Sequence, residues 1–97
     1  MEVSVILCTY NRCELLHHAL ESLAASEMPS GIEWEVLVLD NNSSDRTRQV
    51  VEEFMAAHPN FRYLFEPQQG KSYALNAGIE AALGKILFFA DETRHTM

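Results

Sequence analysis

Polar residues with reactive or ligand-binding side chains follow each apolar run of this sequence, in the segments 9–12, 40–45, 70–72 and 91–93. They supply hydroxyl and amide groups, the cations Arg12 and Lys71, and the carboxylate pair Asp91 and Glu92. The segment 70–72, Gly-Lys-Ser, opens a helical pattern, where free N–H groups and the helix dipole favour an anion. Mg²⁺ and Mn²⁺ prefer hard oxygen ligands from carboxylates and phosphates. The set therefore indicates a site for a nucleoside diphosphate and a divalent metal, Mg²⁺ or Mn²⁺.

Alternating strands and helices must position these segments. Short apolar runs predict strands at 3–7, 35–39, 61–65 and 85–90, and the nearly continuous apolar character of the first two is typical of strands buried in a parallel sheet. Apolar residues at helical spacing lie between them, and we expect Asn11 to cap the first helix with Glu14 in a capping box, and Gly84 to end the third. The alternation predicts a Rossmann-like three-layer α/β/α fold with a mainly parallel sheet, as one domain over residues 1–97. Ligands of such sheets bind beyond the carboxyl ends of the strands.

The composition of the chain limits the binding partners and the cellular location that we expect. Seven Lys and Arg residues against fourteen Asp and Glu residues give a net charge of −7, which disfavours binding to nucleic acid phosphates. We expect no membrane span, since no apolar run approaches the roughly 18 residues that one needs, and the N-terminus lacks the basic start of a signal peptide. We therefore expect a cytoplasmic protein with Cys8 and Cys13 reduced. A phosphate-binding P-loop is excluded, because its pattern requires glycine where this chain has Phe65.

Three segments together resemble a known family. They read SVILCTYNR (4–12), VLVLDNNSSDRT (36–47) and GKSYALNAGIEAALGKILFFADE (70–92), and they look like the N-terminal half of family 2 glycosyltransferases with the GT-A fold. The resemblance implies an enzyme that binds a nucleoside-diphosphate sugar, usually of UDP, GDP or TDP. It also implies transfer of the sugar to an acceptor with inversion, although the acceptor cannot be named from these residues.

The resemblance also implies roles for individual residues. Thr9, Tyr10 and Arg12 match the family loop that lines the nucleotide, with the Tyr10 ring available to pack on the base. Asp40 matches the acidic residue after the second strand that hydrogen-bonds the base. A turn or capping role for Asp40 is the alternative, because Asp and Asn are common at such positions.

The later segment supplies the remaining matches. Lys71 and Asn76 match the loop and helix that approach the nucleotide, and Asp91 matches the first carboxylate of the D-x-D motif, which contacts the ribose and holds the metal. In this chain Thr93 stands at the position where that motif has its second carboxylate. We therefore expect Glu92 to complete the metal site with Asp91.

Several alternatives stay open. We interpret Asp45 as a helix cap rather than a ligand. His17 and His18 are adjacent in a helix, so we expect them to point apart and not to share a metal. The family's acceptor site and general base lie downstream of D-x-D, so we expect a domain truncated at its C-terminal end. The alternative function is therefore a non-catalytic nucleotide-binding or structural fragment, which could form a homo-oligomer through its exposed sheet edge.

Overall fold

Four strands and three helices alternate along the chain in a computed structural model that describes residues 1–26 and 28–90. None of the helices in these two ranges is long and apolar enough to cross a membrane. The strands are β1 (Val3–Thr9), β2 (Trp34–Asp40), β3 (Phe61–Phe65) and β4 (Ile86–Ala90). The helices are α1 (Cys13–Ala25), α2 (Thr47–Ala57) and α3 (Lys71–Ala81).

The strands form one parallel sheet in the order β3-β2-β1-β4. Leu7 of β1 lies opposite Val38 of β2 on one side and Ala90 of β4 on the other. The chain builds the sheet outward from β1 to β3 and then crosses back to β4, so the strand order reverses between β1 and β4. This confirms the predicted α/β fold and locates the switch point where ligands bind in open sheets.

Helices cover both faces of the sheet. Alternate side chains of each strand point to opposite faces, and the core accordingly divides into two clusters. The larger cluster joins Val5, Leu7 and Val38 to residues of α1 and α2, such as Leu20 and Val51. The smaller cluster packs Ile6, Leu37 and Leu39 against Ala74 of α3. The predicted three-layer arrangement follows from this division.

The expected capping box at the start of α1 is wrong. The helix begins at Cys13, and Asn11 lies outside it with φ +50°. The Asn11 side chain accepts a hydrogen bond from Ser44 N at 2.7 Å, and its backbone N–H donates to Ser43 Oγ at 2.9 Å. Asn11 therefore joins the loop after β1 to the loop after β2, a contact between distant residues that local sequence rules do not contain.

The predicted role of Gly84 at the end of α3 is also wrong. The helix ends at Ala81, three residues earlier. A Cβ at Gly84 would lie 2.6 Å from both Val3 C and Ser4 N, so the backbone before β4 approaches β1 more closely than any side chain allows. Glycine is required for this close approach.

A buried carboxylate lies at the amino edge of the sheet. Glu35 of β2 is 1% exposed, and it accepts hydrogen bonds from Ser4 Oγ at 2.6 Å, Arg62 Nη1 at 2.8 Å and Leu83 N at 2.8 Å. Burial alone would raise the pKa of Glu35, but these hydrogen bonds and the Arg62 charge outweigh it and hold the pKa below the ordinary 4.5. Glu35 thus joins β1, β2, β3 and the segment before β4.

We predict that Glu35→Gln lowers the free energy of unfolding at pH 7 by about 2 kcal/mol, because an amide nitrogen in place of one carboxylate oxygen leaves the N–H of Leu83 or of Arg62 without its acceptor. The folded-state pKa lies below the unfolded value, so the carboxylate stabilises the fold above pH 4.5, and this contribution is lost as the pH falls below that value. Urea unfolding followed by circular dichroism between pH 7 and pH 3 measures both effects.

The control for this prediction is Glu33→Gln. The Glu33 side chain is 75% exposed and lies 3.6 Å from the N-terminal amino group, so its loss should cost less than about 0.5 kcal/mol. Equal stability losses in the two variants, or an unchanged acid transition in Glu35→Gln, would contradict the role given to Glu35.

Candidate functional site

A cleft of about 670 Å³ opens at the carboxyl edge of the sheet, within the usual size range of small-molecule sites. Its walls are formed by β1 and β4 towards their carboxyl ends, by α3 from Lys71 to Ile79, and by the loops after β1, β2 and β3. This is the switch point of the sheet. The residues that line it are Ile6, Cys8, Thr9, Tyr10, Arg12, Asn41, Gln69, Gly70, Lys71, Ala74, Leu75, Ile79, Phe89 and Ala90.

Four of the predicted nucleotide-binding residues, Thr9, Tyr10, Arg12 and Lys71, line this cleft together. Thr9 is 3% exposed, and among the side chains that the structure describes its Oγ1 is the one buried polar atom without a hydrogen-bond partner. Leaving a buried hydroxyl unpaired costs about 1–3 kcal/mol. This oxygen has almost no exposed surface, so the cleft wall does not offer it to a ligand. The Tyr10 ring is 46% exposed, which leaves it open to contact.

The charge of the cleft wall is positive over the described residues. Arg12 and Lys71 contribute cations, and none of the described lining residues is a carboxylate. Lys71 is the first residue of α3 and follows Gly70, whose φ of +140° lies in the range that side chains rarely adopt. The dipole of α3 adds to the positive potential at this end of the helix. The wall is suited to bind an anion.

Asp40 does not line the cleft. Its carboxylate is 2% exposed, and its oxygens accept hydrogen bonds from Ser43 N at 2.8 Å and Tyr63 Oη at 2.6 Å. Burial and the bond to Asp40 raise the pKa of Tyr63, so the phenol stays a donor. This geometry is that of a turn residue, the alternative named above, and a contact between Asp40 and the base stays a prediction.

Asn41 lines the cleft beside Thr9, and the sequence analysis missed it. The sequence signal was present but ambiguous, because Asp40, Asn41 and Asn42 follow one another at the end of β2 and any of them could face the ligand. The register of β2 against β1 determines which of these side chains faces the cleft. Asn41 N donates to Thr9 O at 2.9 Å, which continues the pairing of the two strands by one residue.

Three further predicted site residues are Asn76, Asp91 and Glu92. Asn76 is exposed on α3 and is not part of the cleft wall. Asp91 and Glu92 lie outside the described residues. Ala90, the residue immediately before them, lines the cleft at the end of β4.

Asp45 joins the starts of two helices. Its Oδ2 accepts a hydrogen bond from Cys13 N at 3.1 Å, and its Oδ1 accepts from Thr47 N at 3.0 Å and from the Thr47 hydroxyl. Burial raises the pKa of Asp45, and these hydrogen bonds outweigh burial and lower it below the ordinary 3.8. The N-cap positions themselves are Arg12 and Arg46. Asp45 instead accepts from the first N–H group of both α1 and α2, which agrees with a structural role at a helix start rather than a ligand role.

His17 and His18 do not diverge as the sequence analysis expects. The Nδ1 atoms of His17 and His18 lie 3.5 Å and 3.6 Å from the same carboxylate oxygen of Glu21. Glu21 is four residues after His17 and three after His18, so both neighbours can reach it on the helix surface. The three side chains form an exposed cluster on α1, and none of them lines the cleft.

The comparisons with solved structures agree with this fold and site. The mannosyltransferase PcManGT of Pyrobaculum calidifontis, solved in complex with GDP-Man and Mn²⁺, superposes with a TM-score of 0.85 at 31% identity, over 94% of this chain and 27% of that one. The TarS protein of S. aureus (residues 1–349), solved with UDP, gives 0.84 at 32% identity, over 95% and 27%. The chain has the fold of GT-A glycosyltransferases.

The sequence comparisons define the family. Residues 4–92 match the family described as Glycosyl transferase family 2. Glycosyltransferase AglE of Haloferax volcanii is 40% identical over 90 residues, which are 92% of this chain and 29% of AglE. The chain therefore belongs to glycosyl transferase family 2, and it spans less than a third of the length of these relatives.

We predict that Asp45→Ala lowers the free energy of unfolding by about 1 kcal/mol, because one substitution removes the acceptor of the first N–H group of two helices. The lowered pKa means that this contribution is present above pH 3.8 and is lost at lower pH. Thermal and urea unfolding measure the difference.

Glu53→Ala is the matched control, since Glu53 is an exposed carboxylate within α2. It should change the stability by less than about 0.5 kcal/mol. If Asp45→Ala is no more destabilising than Glu53→Ala, the hydrogen bonds from Asp45 to the starts of α1 and α2 contribute nothing to stability.

Proposed function

We propose that this chain binds a nucleoside-diphosphate sugar together with a divalent metal, as the donor-binding part of an inverting glycosyltransferase. One observation carries the proposal: the cleft at the switch point combines the cations Arg12 and Lys71 with the N-terminus of α3. The structural relatives that were solved with GDP-Man and Mn²⁺ and with UDP support it. The donor nucleotide is accordingly UDP, GDP or TDP.

The residues of the cleft wall have separate roles in this proposal. Arg12 and Lys71 stabilise the negative charge of the diphosphate, and charge-assisted hydrogen bonds make this contact stronger than a neutral one. The exposed ring of Tyr10 packs on the base. Thr9 lines the cleft, but its hydroxyl is buried, so its contact with the nucleotide stays a prediction. Contacts from Asp40 and Asn76 stay predictions, because neither residue lines the cleft.

The metal requires ligands that the described wall does not supply. Asp91 and Glu92 follow Ala90 directly, and Ala90 lines the cleft, so the carboxylate pair fits a metal at this edge. We propose that Asp91 and Glu92 hold Mg²⁺ or Mn²⁺ and that Asp91 also contacts the ribose. Bound there, the metal would neutralise charge that develops on the departing diphosphate.

The alternative is nucleotide binding without sugar transfer. It is favoured by one observation: the described part of the wall has neither a carboxylate nor an imidazole that could take the proton of an acceptor hydroxyl.

The proposal keeps the cytoplasmic location predicted from the sequence. It also keeps a homo-oligomer through the edge strand β4, where Ile86, Phe88 and Phe89 are each more than half exposed.

We predict measurable binding of at least one of UDP, GDP and TDP in calorimetric titrations, with a lower Kd when Mn²⁺ is present. Lys71→Ala should raise the Kd about 10-fold, which corresponds to 1.4 kcal/mol, because it removes a cation from the diphosphate. Lys85→Ala is the control, since Lys85 precedes β4 at the opposite edge of the sheet. The Kd of this variant for the nucleotide should equal that of the wild type. No detectable heat with any of the three nucleotides at millimolar concentration would overturn the proposal.

Product analysis with radiolabelled UDP-sugar and GDP-sugar donors separates transfer from binding. Label that appears in an acceptor, or as free sugar released by water, supports a glycosyltransferase. Bound but unchanged donor supports the non-catalytic alternative. Sedimentation velocity of the same sample distinguishes a monomer from an oligomer.

A further inference from the structure

Asn41 is nearly enclosed, and its whole carboxamide is engaged in hydrogen bonds. The residue is 8% exposed. Its Nδ2 donates to Gln68 O at 2.7 Å and to Glu66 O at 3.3 Å, and its Oδ1 accepts from Gly70 N at 2.9 Å. All three partners are backbone groups of the turn that connects β3 to α3.

Only a carboxamide satisfies these partners. Its nitrogen offers two donors and its oxygen is an acceptor, which matches two carbonyls and one N–H. A carboxylate at position 41 would place an oxygen against the carbonyls of Glu66 and Gln68 and would lose both bonds. The three partners also fix which end of the Asn41 amide is nitrogen, because the reverse orientation would face donor with donor and acceptor with acceptor.

The turn that Asn41 holds leads into the cleft wall. Gly70, with φ +140°, places Lys71 at the first position of α3, and both residues line the cleft. The backbone N–H of Asn41 is itself bonded to Thr9 O at 2.9 Å. One residue therefore fixes the start of α3 relative to the end of β1, across the space where a nucleotide would lie.

We infer that Asn41 is a positioning residue for the diphosphate: its carboxamide holds the turn 66–70 so that Lys71 and the first turn of α3 are in place before the nucleotide binds. This inference rests on the proposed function, since it concerns how the same cleft binds its ligand. A wall that is ordered in advance avoids the cost of ordering on binding. Asn41 acts through the turn and needs no contact with the nucleotide itself.

The test compares Asn41→Asp with the wild-type chain in calorimetric titrations of UDP, GDP and TDP with Mn²⁺. We expect the variant to raise the Kd at least 10-fold at pH 8. The ratio of the variant's Kd to the wild-type Kd, measured at each pH, should be smaller at pH 5 than at pH 8. At the lower pH a protonated carboxyl can donate one hydrogen bond to a carbonyl of the turn. In a Lys71→Ala background the effect of Asn41→Asp should fall below 3-fold, because the two residues act on one contact.

Hydrogen exchange of the Gly70 amide, measured by NMR without nucleotide, reports on the turn directly. Exchange should be at least 10-fold faster in Asn41→Asp and in Asn41→Ala, which introduces no buried charge and serves if the first variant does not fold. Asn60→Asp makes the same chemical change in the turn between α2 and β3, and it should alter neither the Kd nor the Gly70 exchange rate.

The outcomes separate the two proposals. If the wild-type chain binds no nucleotide, the proposed function fails, and the inference about Asn41 as a positioning residue for a diphosphate fails with it. If the wild type binds and Asn41→Asp or Asn41→Ala binds within 2-fold of it, the inference alone is overturned. A loss that is equally large with and without Lys71, or that does not change with pH, also overturns it, because a general loss of structure would give that result.

Discussion

The site depends on hydrogen bonds that join the loop after β2 to the loops on either side of it. Strand β2 lies between β1 and β3, so its loop lies between theirs at the carboxyl edge. On the β1 side Asn11 accepts from Ser44 N and Asp45 accepts from Cys13 N, and on the β3 side Asn41 holds Gly70. The contacts that shape these loops are polar, and the loop after β2 fixes the geometry of both neighbours.

Helix α3 shows why such contacts are needed. Its buried residues are Ala74 and Gly78, which are small, so the helix lies close to the sheet but buries little side-chain area of its own. Both of its ends are held by polar side chains of β2 or of the loop that follows it. Asn41 binds the N–H of Gly70 before the helix, and Glu35 binds the N–H of Leu83 after it. The position of Lys71 in the cleft is thus determined at the two ends of one strand.

The sequence was sufficient for the fold and for about half of the site. Buried parallel strands have distinctive apolar runs, and the observed bounds of β3 are those predicted, because His58 and Pro59 break the preceding helix sharply. Two of the wrong predictions share one cause: the sequence rules assign Asn11 and Gly84 to local caps, whereas each contacts a residue far away in sequence. The omission of Asn41 from the predicted site has the same origin, since only the pairing of β2 with β1 shows that its side chain faces the cleft.

The electrostatics of the cleft differ from those of the whole chain. The net charge of −7 predicts repulsion of anions, yet the described cleft wall carries Arg12 and Lys71 and no carboxylate. Two nearby carboxylates, Asp40 and Asp45, accept hydrogen bonds from Tyr63 and from helix N–H groups. Their negative charge is therefore partly compensated by donors within the protein. Interactions with exposed distant charges are screened over about 8 Å at physiological ionic strength. We therefore expect the affinity of this cleft for the proposed diphosphate to depend on the few groups of its wall and on how firmly they are held.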